Sequence, residues 1–276
     1  MGLRFETRES DSTWIDAVWT CRSEQLTQMT SVAGPTWGLV FWRQEDRNHA
    51  AITGPETHTA TAPVPDESTF LGIQFAIGTS LRAVAPAAVV NGGIPLPEVT
   101  RRGFSFDGGH WELPGMDDAE ALVARLVREA VVIRDPLTTG SDRGSHPVSR
   151  RTVERRFRAA TGLTQGQVWQ IERARSAALL LLTGRPAAQV ISQLGYYDEP
   201  HLARALRRYV GRTVRQLRAG DDGTIALDPG SVRHVVDQLD DPVGVDGRVP
   251  QPQVLPVTIG SAEHALARRQ QYRENQ

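Results

Sequence analysis

The chain contains no lysine: all 31 of its basic residues, in 276, are arginine. Together with heavy use of alanine, glycine and valine, this bias points to GC-rich coding DNA more than to a mechanism. It does exclude one site, because GDDGT (220–224) has no lysine after it to complete a phosphate-binding loop. Cysteine is nearly absent too. The single Cys21 rules out a disulfide framework or a cysteine-cluster zinc site within one chain, and suits a reducing compartment. Long apolar runs are missing. The longest, Ala177 to Leu182, is far too short to span a bilayer, and MGLRFETRES has no apolar core like that of a signal peptide. The expectation is a soluble, cytoplasmic protein with no membrane partner.

Seven histidines are present, but no pair has the spacing H-x-H and no helix carries H-E-x-x-H. His49, His58 and His110 fall in the strand-rich half and read as surface or satisfied histidines. Cys21 has no local histidine to activate it and reads as packed core. No catalytic residue, metal or cofactor is expected. Trp37, Phe41 and Trp42 could line an effector pocket, although strand-core packing accounts for each.

The net charge of −1 conceals a strong asymmetry. Ser149 to Arg218 holds 14 arginines against the four acids Glu154, Glu172, Asp198 and Glu199, while the rest of the chain is acidic. A basic segment within an acidic chain is the footprint of a polyanion binder.

The pattern divides the chain at residues 136–148, a polar stretch rich in turn formers. Before it, TWGLVFWRQ (36–44) is apolar on both faces, as a central strand would be, and short strand patterns follow around AAITGP, HTATAPV and STFLGIQFAIGT. An amphipathic helix opens at Asp117 or Asp118, with Leu122, Leu126 and Val127 as its stripe. After the linker, Ser149 to Arg218 is helical almost throughout. Beyond it, SVRHVVDQL (231–239) and SAEHALARRQQYRE (261–274) are short helix candidates separated by a Pro/Gly-rich stretch. The fold class is therefore α+β: a β-rich, barrel-like domain over 1–135, a linker over 136–148, an all-α unit over 149–218, and an extension over 219–276.

Within the helical unit, Pro186 precedes a short helix whose Val190, Ile191 and Leu194 point inward. Gly195 stands where a left-handed cap belongs. Asp198 can cap the next helix, and Pro200 fits its first turn. Leu202, Leu206 and Tyr209 make the buried stripe, leaving His201, Arg204, Arg207 and Arg208 largely outside it. A short helix, a glycine turn and a helix with a polar start form a helix-turn-helix, whose second helix enters the major groove. A further recognition helix reads out of SRRTVERRFRAATG (149–162). There Ser149 is the cap, Val153 and Phe157 the core pair, and Gly162 the end, which frees Arg150, Arg151, Arg155 and Arg158 for DNA. Gln165 to Leu182 is a long helix that would space the two, with Trp169 in the interhelix core.

These residues resemble the DNA-binding domain of the AraC/XylS family of bacterial transcription regulators, two helix-turn-helix units joined by a long helix. Ser149, Val153, Phe157 and Gly162 match the first unit. Arg173, Ala177, Leu180 and Leu181 match the connecting helix. Leu194, Gly195, Tyr196, Asp198, Leu202, Arg204, Leu206 and Gly211 match the second unit. GYYDEPHLAR, ITGP and GIQFAIG are also similar to a subgroup with a β-rich, cupin-like N-terminal domain. The resemblance implies a sequence-specific regulator that binds a double-stranded operator. The DNA-facing residues would be Ser149, Arg150, Arg151, Arg155, Asp198, Glu199, Pro200, His201, Arg204, Arg207 and Arg208. RNA polymerase, a small-molecule effector on the N-terminal domain and a second copy of the chain would be its other partners. The chain departs from the family where a scaffold helix should precede Ser149, since TTGSDRGSHPV has no apolar periodicity. Support for the first recognition helix must then come from elsewhere, the helix after Asp117 being one candidate. With that helix weakly held, the second unit is expected to dominate recognition. Two rival readings are a cupin-like enzyme or ligand-binding protein whose helical segment mediates protein interaction, and an adaptor that binds protein instead of an operator.

Overall fold

A computed structural model describes residues 2–24, 28–64, 67–135 and 149–219. The linker 136–148 and the helix candidates at 231–239 and 261–274 lie outside the described residues. Twelve strands come first, with one helix among them: β1 (Gly2–Arg8), β2 (Ile15–Glu24), β3 (Gln28–Thr30), β4 (Gly38–Gln44), β5 (Arg47–Thr53), β6 (Thr61–Pro63), β7 (Thr69–Phe75), β8 (Thr79–Leu81), β9 (Gly93–Pro95), β10 (Gly103–Phe106), β11 (Gly109–Glu112), α1 (Ala119–Arg128) and β12 (Val132–Arg134). A 3-10 turn, Pro86–Ala88, precedes β9. Helices α2 (Arg150–Thr161), α3 (Gln165–Leu182), α4 (Ala187–Leu194), α5 (Glu199–Tyr209) and α6 (Val214–Ala219) follow.

The main sheet is antiparallel and open, in the order β1-β2-β7-β4-β5-β9, so β1 and β9 are its edges and the strands do not close into a barrel. β4 is central, between β7 and β5, which is why both its faces are apolar. It turns into β5 through Glu45 and Asp46, both at positive φ, as the right-handed twist of a two-residue hairpin requires. β10 and β11 make the same turn with Asp107 and Gly108.

One face of the sheet buries Val18, Leu39, Phe41, Ile52, Ile73 and Phe75 against Leu122, Val123 and Leu126 of α1 and against Phe104 and Trp111. Trp37 stacks on Phe75 with centroids 3.9 Å apart, and its indole N–H donates to the Thr79 carbonyl at 2.8 Å. Asp118 occupies the N-cap position of α1 without a side-chain bond into the helix. It instead accepts from the Gly115 N–H. Of the three histidines noted above, His49 stacks on Trp42, His58 meets Thr57, and the exposed His110 lies on β11. Cys21 is buried with Val64, and desolvation pushes its thiol up to about 12, too high for a nucleophile at neutral pH.

The helical half has its own core, in which Ala174, Ala177, Ala178 and Leu181 of α3 meet Val190, Leu194, Leu202, Leu206 and Leu217. A smaller cluster joins the two halves: Ala33 from the strand side buries Leu163 and Ile171, with Val90, Val168 and Tyr209 at its rim.

Candidate nucleic-acid interface

Helices α2 and α5 each begin on a capping side chain that the sequence specifies locally. The Ser149 hydroxyl accepts from the Thr152 N–H and opens α2, and the Asp198 carboxylate accepts from the His201 N–H at 2.7 Å and opens α5. Pro200 sits in the first turn of α5, where its missing donor has no intrahelical partner to lose. Between them, α3 starts on a capping box, with Thr164 and Gln167 bonded reciprocally. Gly162 and Gly195 end α2 and α4 in the left-handed conformation at φ 77° and 66°, which side chains with a Cβ adopt at a cost.

The expected DNA-facing residues divide by exposure. Ser149, Arg150, Arg151 and Arg155 are exposed along α2, and Glu199, Pro200, Arg204, Arg207 and Arg208 along α5. Apolar packing sets this arrangement. Phe157 and Ala160 turn one side of α2 inward, and Leu202, Ala205 and Leu206 do so for α5, so the intervening arginines must face water. Asp198 is half-buried, with its carboxylate engaged in the cap. Arg156 is turned aside and pairs with Asp135 at 2.8 Å.

His201 has a different environment. Its ring meets Tyr196 edge-on at 5.2 Å, and its Nε2 lies 3.3 Å from the Arg173 guanidinium. Its Nδ1 accepts from the Tyr197 N–H at 3.4 Å. Desolvation, then the charges of Arg173 and Arg204, lower its pKa against the opposing pull of Asp198. The ring sits in the turn of the second unit and ties α5 to α3.

Two features of the site could not be read from local periodicity, although Arg173 is among the connecting-helix residues that carry the family resemblance. Arg173 is buried at 4% exposure, between the rings of Trp169 and Tyr196 at 4.4 and 3.9 Å. Periodicity flags no such role for an arginine among alanines. Tyr197, next to the buried Tyr196, is 90% exposed at the turn. A two-tyrosine turn gives no hint of which ring is inside.

The support for α2 also differs from expectation. The elements it packs on are α3, β8 and the 3-10 turn Pro86–Ala88, whereas α1 packs on β12 and β2. The helix after Asp117 is therefore not its scaffold, because the hydrophobic stripe of α1 is used up on the sheet.

A family model described as a helix-turn-helix domain, of the AraC type, matches residues 147–220. No curated protein and no solved structure matches the chain significantly. Among the described residues, no helix is long and apolar enough to cross a membrane. The match covers the capped helices α2 to α6 and the arginines they expose, and it supports a DNA-binding transcription regulator with a helix-turn-helix domain behind a strand-rich N-terminal half.

Proposed function

We propose that the chain binds operator DNA sequence-specifically, with α2 and α5 in successive major grooves on one face of the duplex. The observation that carries this reading is the shared polarity of the two helices. Each starts on a capping side chain and exposes arginines along one side, Arg150, Arg151 and Arg155 on α2 and Arg204, Arg207 and Arg208 on α5, while the opposite side packs into the protein. Arg150, Arg151, Arg155, Arg207 and Arg208 anchor phosphates, which supplies affinity without sequence information. Arg204, one turn into α5, reads a base edge beside Glu199 and Pro200. His201 positions α5 through Tyr196 and Arg173. In this reading, residues 1–135 form the sensor or dimerisation domain, 149–218 the DNA-binding domain, and 136–148 the linker between them. The regulator works in the cytoplasm, with RNA polymerase, an effector and a second copy of the chain as its partners.

The interior of the strand-rich half bears on where an effector would go. Two small cavities, one between Trp37, Thr79 and Thr161 of α2 and one beside Leu81 and Val89, hold about 10 Å³ each, space for no more than a water. Neither is large enough to hold a small-molecule effector. Selection of fragments from a genomic DNA pool by the full chain, followed by footprinting, tests the reading. A shared motif protected over two grooves one helical turn apart is expected. Recovery of fragments with no common motif would sink it.

A further inference from the structure

Both reader helices end against the strand-rich half. At the end of α5, the Arg208 and Tyr209 carbonyls accept from the backbone N–H groups of Thr59 and Ala33, each at 2.8 Å. The last carbonyls of a helix have no intrahelical donor, and here the other half of the chain supplies one. At the end of α2, Gly162 lies so close to the 3-10 turn that an added Cβ would come within 2.8 Å of Val90 and 3.1 Å of Pro86. Ala33 also grips the helix between the readers, because its carbonyl accepts from Arg175 of α3 at 3.1 Å. One buried residue of the strand-rich half thus joins α3 to α5.

The docking segments are themselves braced. The β3–β6 ladder continues through the bond from the Ser31 N–H to the Ala60 carbonyl, then through the reciprocal pair of Gly34 and Glu56 at 3.1 and 2.8 Å. The Glu56 side chain is half-buried there, near Ser31 and Arg175, and desolvation pushes its carboxyl up from the usual carboxylate range. Ala33 and Thr59 therefore lie just beyond β3 and β6, in two segments that these backbone bonds tie together. At the other reader, α2 packs on the 3-10 turn and β8 of the strand-rich half.

We propose that the strand-rich half is a structural part of the DNA-reading unit: by holding the C-terminal ends of α2 and α5 it fixes the spacing between the two readers and supports the first. The inference rests on the reading of α2 and α5 as DNA readers and extends it. Rigid support on both helices is what makes a fixed half-site spacing enforceable. A change in how the two halves dock would alter that spacing without touching a DNA-facing residue.

The test uses the full chain and a library of duplexes with two randomised half-sites at varied separation. The wild-type chain should select both half-sites at one separation. Val90→Asp and Arg175→Gln, both away from the reader surfaces, should select the same half-site sequences but discriminate between separations about tenfold less, the size of a typical coupling between sites. Val90→Ala and Arg175→Lys, which keep an apolar contact and a charge, should lie between. Variants that fold and keep the full wild-type spacing preference would overturn the inference and leave the DNA reading standing. A wild-type chain that selects no sequence overturns the DNA reading and this inference with it. Amide exchange in the wild-type chain gives a check independent of variant folding. The Ala33 and Thr59 N–H groups should exchange as slowly as those within α5, and open-loop rates at both would overturn the docking.

Discussion

The Arg173 guanidinium lies 3.9 Å from the centroid of the Tyr196 ring and 4.4 Å from that of Trp169, so one buried cation joins the connecting helix to the turn of the second unit. A desolvated cation–π contact contributes about 2 kcal/mol, and the arginine stem adds packing. Arg173→Ala should therefore lower the stability of the folded chain by about 2–4 kcal/mol, read as a fall in the urea midpoint. Arg173→Lys, which keeps the charge but not the flat stacking surface, should cost less. An alanine variant with an unchanged midpoint would show that the stack contributes nothing.

The surroundings of His201 give a pH dependence with a definite sign. Arg173 and the Tyr197 N–H approach its ring as donors, Arg204 adds positive charge, and only Asp198 opposes them. Its folded pKa lies below the unfolded value of about 6.5, so the unfolded chain binds more protons just below that pH. This contribution to stability is present above about pH 6.5 and is lost as pH falls through the lowered value. His201→Asn should flatten the stability profile between pH 7 and 5; a profile of unchanged slope would remove His201 as its cause.

A second titration lies lower. The Arg8 guanidinium, donating to Glu120 at 2.6 Å, holds that carboxyl down at about 2. Its stabilising effect is full above the unfolded value of about 4.5 and fades as pH drops toward 2. Glu120→Gln should lower stability at neutral pH and lose part of the acid-unfolding slope in that window. Equal slopes for the variant and the wild-type chain would contradict it.

The two left-handed caps should respond unequally to alanine. At Gly195 an added Cβ meets nothing within 4 Å, so only the backbone penalty of about 1–2 kcal/mol applies. At Gly162 the same penalty is joined by contacts with Val90 and Pro86. Gly162→Ala should thus be the more destabilising in thermal unfolding. Equal effects would mean that α2 is not seated on the strand-rich half.

Base reading and phosphate anchoring should separate on α5. Arg204→Ala should cost about 1–3 kcal/mol on the best site and relax preference at one base position. Arg207→Ala should weaken all sequences alike, and each lost phosphate contact should lower the log–log salt slope by about 0.9. Because α2 is supported by β8 and the 3-10 turn, alanine at both Arg151 and Arg155 should also remove the protection of one groove in a footprint. If that pair proves silent while Arg204→Ala abolishes recognition, only the second unit reads DNA.

Local chemistry made much of this protein legible before any tertiary contact. A hydroxyl or carboxylate at Ser149 and Asp198, a glycine at 162 and 195, and leucines four apart at 202 and 206 act within one or two helical turns. The reader helices and their exposed arginines could therefore be placed from the sequence, as could the central position of β4, apolar on both faces. Non-local pairing decided the rest. That β7 inserts between β2 and β4, and that β12 returns to pair with β8, depends on contacts across many residues that no local period records. Fold alone also set the environment of His201, since a ring in the first turn of α5 could face a groove or the body of the protein until Tyr196 and Arg173 were in place. The support of α2 was the least legible. It comes from a 3-10 turn more than 60 residues earlier in the chain, and no local period records that Gly162 comes to lie against it.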